Sequence, residues 1–274
     1  MNQDSHAPSR DIEAELEATT AELNELVYVV SHDLRAPMRA ILHCLELMQR
    51  RFGEELPEDA VMLLNRAMDS SSHGHTMLDA LLIYSRLTTR REPPTIITSD
   101  DMIDRIMREL EKAIALRQAI IQVEKPLPLL YGDRKQIRQL ISQLLSNAIM
   151  HSNPNGETAI RVWGKTDGDQ VELTISDNGI GLNDEEQWRA LKMFKQLQPS
   201  QEKAPEGILN VGMGLPIASK VVNLHHGELR IHSQPGQGTS VTVSMPAPPE
   251  DANQNPSLIH IRHAGSSAPI VHPD

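Results

Sequence analysis

Apolar residues recur along the first part of the chain at Ile12, Leu16, Leu23, Leu26, Val30, Leu34, Ile41, Leu45 and Met48, in steps of 3, 4 or 7. That spacing keeps returning to one face of an α-helix and predicts a long helix with a heptad-like stripe. A second stripe runs through Val61, Leu64, Met68, Ser71, His75, Leu78, Leu82 and Ser85. Between them RFGEELPED (51–59) combines Gly, Pro and acids, the makings of a turn and a new helix start. Two long helices and a short loop predict an antiparallel hairpin. Such a hairpin encloses no core alone, so the pattern predicts a homodimer in which two hairpins form a four-helix bundle. Counted outward from the loop, Ser71 and His75 lie opposite residues 32–37. They are either a tolerated polar patch or a softer layer at which the bundle bends.

After REPPTI (91–96) the pattern changes. Residues 100–117 predict a helix and 119–123 a strand, and Asp133 is placed to cap a helix reaching about Met150. Alternation over 171–177 and 240–245 predicts strands, with further helices over 184–194 and 213–225. The fold class expected is α + α/β, a helical hairpin followed by an α/β sandwich with helices on one sheet face. The expected boundaries are a flexible 1–10, a hairpin over 11–91, a second domain over 95–247 and a disordered Pro-, Ser-, Asn- and His-rich tail over 248–274.

Composition narrows the function. Aromatic residues make up 3%, so the core must be aliphatic. A net charge of −11 argues against a groove for nucleic acid, which needs clustered Lys and Arg. One bound nucleotide needs far fewer donors and stays open. Cys44 is the only cysteine, which leaves no intrachain disulfide or cysteine-rich metal site and fits a cytoplasmic location. No apolar run approaches the roughly 18–20 residues of a membrane span, and the polar, acidic start is unlike a signal peptide. Any sensor is then small, on a separate chain, or outside this segment.

His32 lies midway between Val30 and Leu34, about 180° from the seam at 100° per residue, so it faces water or a partner. It is either a solvated histidine or a nucleophile. A neutral imidazole attacks well when an adjacent carboxylate orients one nitrogen and accepts its proton. Asp33 is the candidate, although successive helical side chains diverge. Pro37 either ends the helix or kinks it one turn beyond His32, and the unbroken phase of the stripe favours the kink.

Gln143, Asn147 and His151 share a face of the 133–150 helix, and the Asn147 carbonyl oxygen suits Mg²⁺. Asp177 continues the core-facing row Val171, Leu173 and Ile175; a buried carboxylate needs a partner, for which an adenine amino group would serve. Gly179 and Gly181 allow backbone to approach a flat ring. Gly212-Met-Gly214 opens a helix whose N-terminus suits phosphates, and 195–211 has the composition of a mobile lid.

Together these segments resemble the boxes of sensor histidine kinase transmitters, nearest in flavour to the phytochrome-type kinases. SHDLRAP resembles the H box, QLLSNAIMHS the N box, DNGIGL the G1 box, MFKQL the F box and GMGLPI the G2 box. GQGT (236–239) resembles the last glycine motif, and the likeness spans about residues 22–246. The resemblance implies a dimeric bundle bearing a phosphohistidine and an ATP-binding domain of the gyrase/heat-shock-protein-90 type. It also implies onward transfer to a response regulator aspartate. It makes His32 the acceptor, Asp33 the assisting acid, Asn147 the Mg²⁺ ligand with Gln143 as a candidate second, and Asp177 the adenine reader. His151, Gly179, Gly181, Gly212, Gly214, Leu215 and Thr239 fall in the matched boxes around ATP.

Three departures stand out. Gln143 replaces the usual Asn of the N box. Met150 replaces a frequent phosphate-binding Lys, so either Lys195 or Lys203 of the expected lid compensates or ATP binding is weak. Ala36 replaces a Thr or Asn that places the hydrolytic water, so weak phosphatase activity is expected. The alternative is a non-enzymatic histidine phosphotransfer protein with a degenerate nucleotide domain; a third class is an ATP-driven clamp. His73 and His75 with His225 or His226 are either a metal pair or, as expected without nearby carboxylates or cysteines, solvated or capping histidines, and Trp163 and Trp188 are expected to pack.

Overall fold

The computed structural model describes residues 7–151, 157–196 and 210–249. Helices α1 (Ala7–Phe52) and α2 (Glu58–Thr89) form the expected antiparallel hairpin. α1 starts inside the stretch expected to be flexible, and residues 1–6 lie outside the described residues. It continues through Pro37, which rules out a helix end there. Glu58 and Asp59 place negative charge at the positive end of α2.

The two apolar stripes turn different ways. On α2, Leu64, Ser71, Leu82 and Ser85 are buried. On α1, Leu23, Leu26, Val30, Leu34, Ile41 and Met48 are between 47% and 61% exposed. The face that α1 turns to α2 is partly polar. Ser31 is buried there, Arg35 Nε lies 2.9 Å from Asp79 Oδ1, and Ser85 Oγ donates to the Asn24 carbonyl at 3.0 Å. Ser71 and His75 fall where the count from the loop put them. Ser71 Oγ is 3.4 Å from the Met38 carbonyl, and His75 Nδ1 is 3.5 Å from the Asp79 that pairs with Arg35.

After the hairpin come β1 (Thr95–Ile97), α3 (Ser99–Glu109), α4 (Glu111–Leu116), β2 (Ile120–Val123), β3 (Leu130–Gly132) and α5 (Arg134–Met150). They are followed by β4 (Ala159–Asp167), β5 (Gln170–Asp177), α6 (Asp184–Ala190), α7 (Gly214–Leu224), β6 (Glu228–Gln234) and β7 (Gly238–Pro246). β1 and β3 form a small antiparallel pair, and the main sheet runs β2-β4-β5-β7-β6 with only β2–β4 parallel. The helix expected over 100–117 is broken at Leu110, and the one expected over 184–194 ends at Ala190.

Strand alternation gives the sheet two unlike faces. Val171, Leu173 and Ile175 of β5 with Val241, Val243 and Met245 of β7 join the apolar core shared with α5 and α7. The opposite face carries hydroxyl pairs, Thr174–Thr242 at 2.9 Å and Ser176–Ser240 at 2.7 Å. The helices therefore cover one face, as expected for this sandwich.

A compact junction joins the hairpin to this domain. Asp133 caps α5, its Oδ1 accepting from Lys135 N–H at 2.9 Å and Gln136 N–H at 3.2 Å, while Oδ2 accepts from Glu92 N–H at 2.7 Å. Gln136 Nε2 donates to the Leu87 carbonyl at 2.9 Å. The buried His225 is fixed as one tautomer: Nδ1–H donates to Val221 O at 2.8 Å, and Nε2 accepts from Asp133 N–H at 3.0 Å. Burial pushes its pKa down, in keeping with a neutral ring. Lys220 Nζ lies 3.9 Å from the Tyr84 ring centroid and 3.5 Å from Asn24 Oδ1, tying α7 to both hairpin helices.

Candidate active site

His32 stands on the outer surface of α1 with its side chain 60% exposed. Its Nδ1 lies 3.2 Å from Asp33 Oδ1, so the contact left open by helical spacing is made. With Nδ1 facing a carboxylate, the neutral ring carries its proton there and leaves the Nε2 lone pair outward. Tyr28, one turn earlier, lies beside the ring with centroids 6.0 Å apart. Sequence reasoning missed Tyr28, although an aromatic four residues before a histidine was a visible signal.

The second centre is a cleft enclosing about 940 Å³ of free space, part of it open to solvent. It is lined by Asn147 and His151 of the α5 end, Asp177 at the end of β5 and Gly181 just beyond it, Gly212, Gly214 and Leu215 at the start of α7, and Thr239 of β7. Eight of the nine nucleotide residues expected from sequence thus meet in one place. The ninth, Gly179, lies just beneath: its N–H donates to Asp177 Oδ1 at 2.9 Å, and a Cβ on it would stand 2.2 Å from the His151 carbonyl.

Asp177 reaches the cleft because the apolar alternation of β5 carries it past the last core residue, Ile175. Thr239 sits opposite it across β5–β7, and both Gly179 N–H and Thr239 N–H, the latter at 3.2 Å, bond to the same Oδ1. The other carboxylate oxygen keeps capacity for a ligand. Burial raises this carboxyl to about 6, against the lowering effect of the two N–H bonds. Ile175, Ile180, Leu182 and Val241 provide apolar walls at this end. Such walls and one anchored acceptor fit a flat ring with an amino group.

At the other end, the amide of Asn147 stands against the first residue of α7. An oxygen ligand beside a helix N-terminus matches a nucleotide's phosphates with their Mg²⁺. Gln143 is buried and does not line the cleft, so the structure does not bring it to the candidate metal position. Met150 belongs to the hydrophobic core and does not line the cleft. Lys195 does line the cleft, whereas Lys203 lies outside the described residues. Of the expected lid, 197–209 lies outside the described residues; its two ends are joined by Phe194 N–H donating to the Gly212 carbonyl at 3.0 Å.

The weaker candidates separate. His75 faces Asp79 while His225 is sealed in the junction, and the described residues hold no group of three metal-ligating side chains. Trp163 is stacked under Arg161, but Trp188 is 74% exposed, contrary to the expectation that it packs.

Two family models match the chain. Residues 22–90 match the His Kinase A (phospho-acceptor) domain, and residues 132–249 match the histidine kinase-, DNA gyrase B- and HSP90-like ATPase. The phytochrome-like protein Cph1 of Synechocystis is 28% identical over 84% of this chain, which spans 30% of that relative's length. The alginate biosynthesis sensor protein KinB of Pseudomonas aeruginosa is 28% identical over 81% of this chain, which spans 37% of its length. Among solved structures, full-length ShkA in complex with AMPPNP gives a TM-score of 0.59 at 20% identity, over 81% of this chain and 45% of that one. The Acinetobacter baumannii histidine kinase AdeS gives 0.55 at 18% identity, over 80% of this chain and 98% of that one. These two likenesses support the fold. With a phosphoacceptor model on the hairpin and an ATPase model on the sheet domain, together covering more than half its length, the chain belongs to the sensor histidine kinase transmitters.

Proposed function

We propose that this chain is an ATP-dependent protein histidine autokinase that phosphorylates His32 and passes the phosphoryl group to an aspartate of a response regulator. The observation that carries this reading is the His32–Asp33 pair, which engages Nδ1 at 3.2 Å and leaves Nε2 open to an incoming phosphate. Nε2 attacks the γ-phosphorus, the P–N bond forms as the bond to the β,γ-bridging oxygen breaks, and the electron pair leaves on ADP. The ring becomes cationic, and its Nδ1 proton passes to Asp33 and on to solvent, leaving a neutral ring that bears the anionic phosphoryl group.

Asp177 holds the adenine amino group, while the start of α7 and Lys195 face the phosphates. Asn147 would hold Mg²⁺ there, and the ion when bound would supply charge neutralisation. Among the described residues that line the cleft, Asp177 is the only carboxylate. It lies at the apolar end, so among the described residues water at the phosphate end meets no carboxylate base, which supports transfer to histidine over hydrolysis.

The outward stripe of α1 supports a homodimer closed into a four-helix bundle. Residues 11–91 then serve as the phosphoacceptor unit and 95–247 as the catalytic unit, working in the cytoplasm. Ala36 supports weak phosphatase activity towards the regulator. No helix among the described residues is long and apolar enough to cross a membrane.

The test is incubation with γ-labelled ATP and Mg²⁺. Acid-labile label that disappears in His32→Gln supports the kinase. Label acquired only through a second kinase points instead to a phosphotransfer protein, and steady ATP hydrolysis unaffected by His32→Gln points to a clamp.

A further inference from the structure

We propose that Tyr28 is a positioning residue that fixes the plane of the His32 imidazole, and that Arg86 of α2 holds Tyr28 in place across the hairpin. The proposal rests on the reading of His32 as phosphoacceptor and adds the groups that aim it.

Tyr28 and His32 lie one turn apart on α1, with ring centroids 6.0 Å apart and planes inclined by 28°. That is an offset-stacked arrangement within the attractive range for two rings. Arg86 reaches Tyr28 twice: a terminal guanidinium nitrogen donates to the phenol oxygen at 3.3 Å, and the guanidinium carbon lies 5.2 Å from the ring centroid. The hydrogen bond to Arg86 also lowers the Tyr28 pKa, a sign of the same contact.

What Arg86 lacks is as informative. The chain has 37 acidic residues against 26 Lys and Arg, so a carboxylate partner would be easy to supply. Among the described residues no carboxylate pairs with Arg86, and its Nε is shielded from solvent without an acceptor. A half-buried cation without a counter-charge is costly. Among the described residues both the side-chain hydrogen bond and the ring contact of Arg86 go to Tyr28, so the position serves that ring.

Asp33 by itself leaves His32 under-determined. Its carboxylate is 73% exposed and its grip is one 3.2 Å contact, which selects the protonated nitrogen but lets the ring turn. A neighbouring ring removes that freedom. Asp33 then decides which nitrogen is nucleophilic, and Tyr28 decides where its lone pair points. Pre-alignment of this kind lowers the barrier without touching the nucleotide. Because Arg86 lies in the last turn of α2, the placement of that helix end sets the Tyr28 ring and through it the histidine.

The test compares wild type, Tyr28→Leu, Tyr28→Phe and Arg86→Gln as full chains with γ-labelled ATP and Mg²⁺, their folding checked by circular dichroism. Expected is a fall in kcat of about tenfold for Tyr28→Leu with the KM for ATP within about twofold, and a smaller fall for Tyr28→Phe and Arg86→Gln. The ring protons of His32, assigned by their loss in His32→Gln, should carry an upfield ring-current shift that Tyr28→Phe keeps and Tyr28→Leu removes. Unchanged kcat in folded Tyr28→Leu, or a fall in kcat with those resonances unmoved, overturns the proposal. Should Tyr28→Leu fail to fold, kcat unchanged in both Tyr28→Phe and Arg86→Gln overturns it. A wild type that takes no label is a different result, which overturns the reading of His32 itself.

Discussion

The side-chain amide of Asn147 occupies the space a side chain on Gly214 would need: a Cβ there would stand 2.7 Å from Oδ1 and 2.9 Å from Nδ2. The end of α5 and the start of α7 are thus fitted to each other through one amide. The obstructing atoms are the far end of a side chain, which can turn away at little cost to the fold. Gly214→Ala should therefore leave the melting temperature nearly unchanged while displacing Asn147. Isothermal titration with ATP and Mg²⁺ should show affinity lowered about tenfold or more, equivalent to about 1.4 kcal/mol.

Gly181 should answer differently. Its φ is +66°, and a Cβ would lie 1.8 Å from the Gln234 carbonyl oxygen, which is backbone and cannot rotate aside. Gly181→Ala should cost roughly 2 kcal/mol or more of folding stability, read from urea unfolding, before any effect on nucleotide is considered.

Asp177 links function to pH. Its carboxyl is raised from 3.8 to about 6, so the folded protein holds the proton more tightly than the unfolded chain. The stability gained this way is fully present below pH 3.8 and is lost as the pH rises through about 6. At neutral pH the empty cleft carries an ionised group at a cost of up to about 3 kcal/mol. Asp177→Asn keeps an oxygen for the two N–H donors and relieves that cost. Urea unfolding without nucleotide should find the variant more stable than wild type near neutrality, with the advantage gone by about pH 4. ATP affinity of the wild type should fall as pH drops through about 6, and the variant should bind ATP poorly at every pH. A stability difference independent of pH would contradict this account.

The exposed α1 stripe gives a prediction about assembly. Leu26 is 60% exposed and lies in mid-stripe. Glutamate is a good helix former, so Leu26→Glu should keep α1 intact while placing charge in the proposed dimer seam. Sedimentation velocity should show wild-type dimers and variant monomers, with ATP affinity unchanged.

Much of this was legible in the sequence wherever a local rule applied. Asp133 was recognisable as a cap, Asp177 as the continuation of an apolar row, and Gly214 as the start of a helix. The strands β1 and β3 were not, because three residues hold no period. β6 was missed because it alternates on a largely exposed edge, and β4 because Gly164 interrupts its pattern. Nothing in the sequence marks the break at Leu110, where neither Gly nor Pro is present. Periodicity showed that α1 has an apolar face but not what lies against it, and the face it turns to α2 carries Ser31 and Arg35 instead. Tyr28 and Arg86 stand 58 positions apart, so only the folded hairpin brings them together.

α5 ties the hairpin to the cleft. Its first turn is fastened to the exit of the hairpin through Glu92 and Leu87, and its last turn carries Asn147 into the cleft. Seventeen residues of helix make a stiff rod about 25 Å long. The exit of the hairpin and the face of the cleft that bears Asn147 are therefore two ends of one helix. Any displacement of Asp133 or Gln136 at the junction is felt along the same rod that carries Asn147.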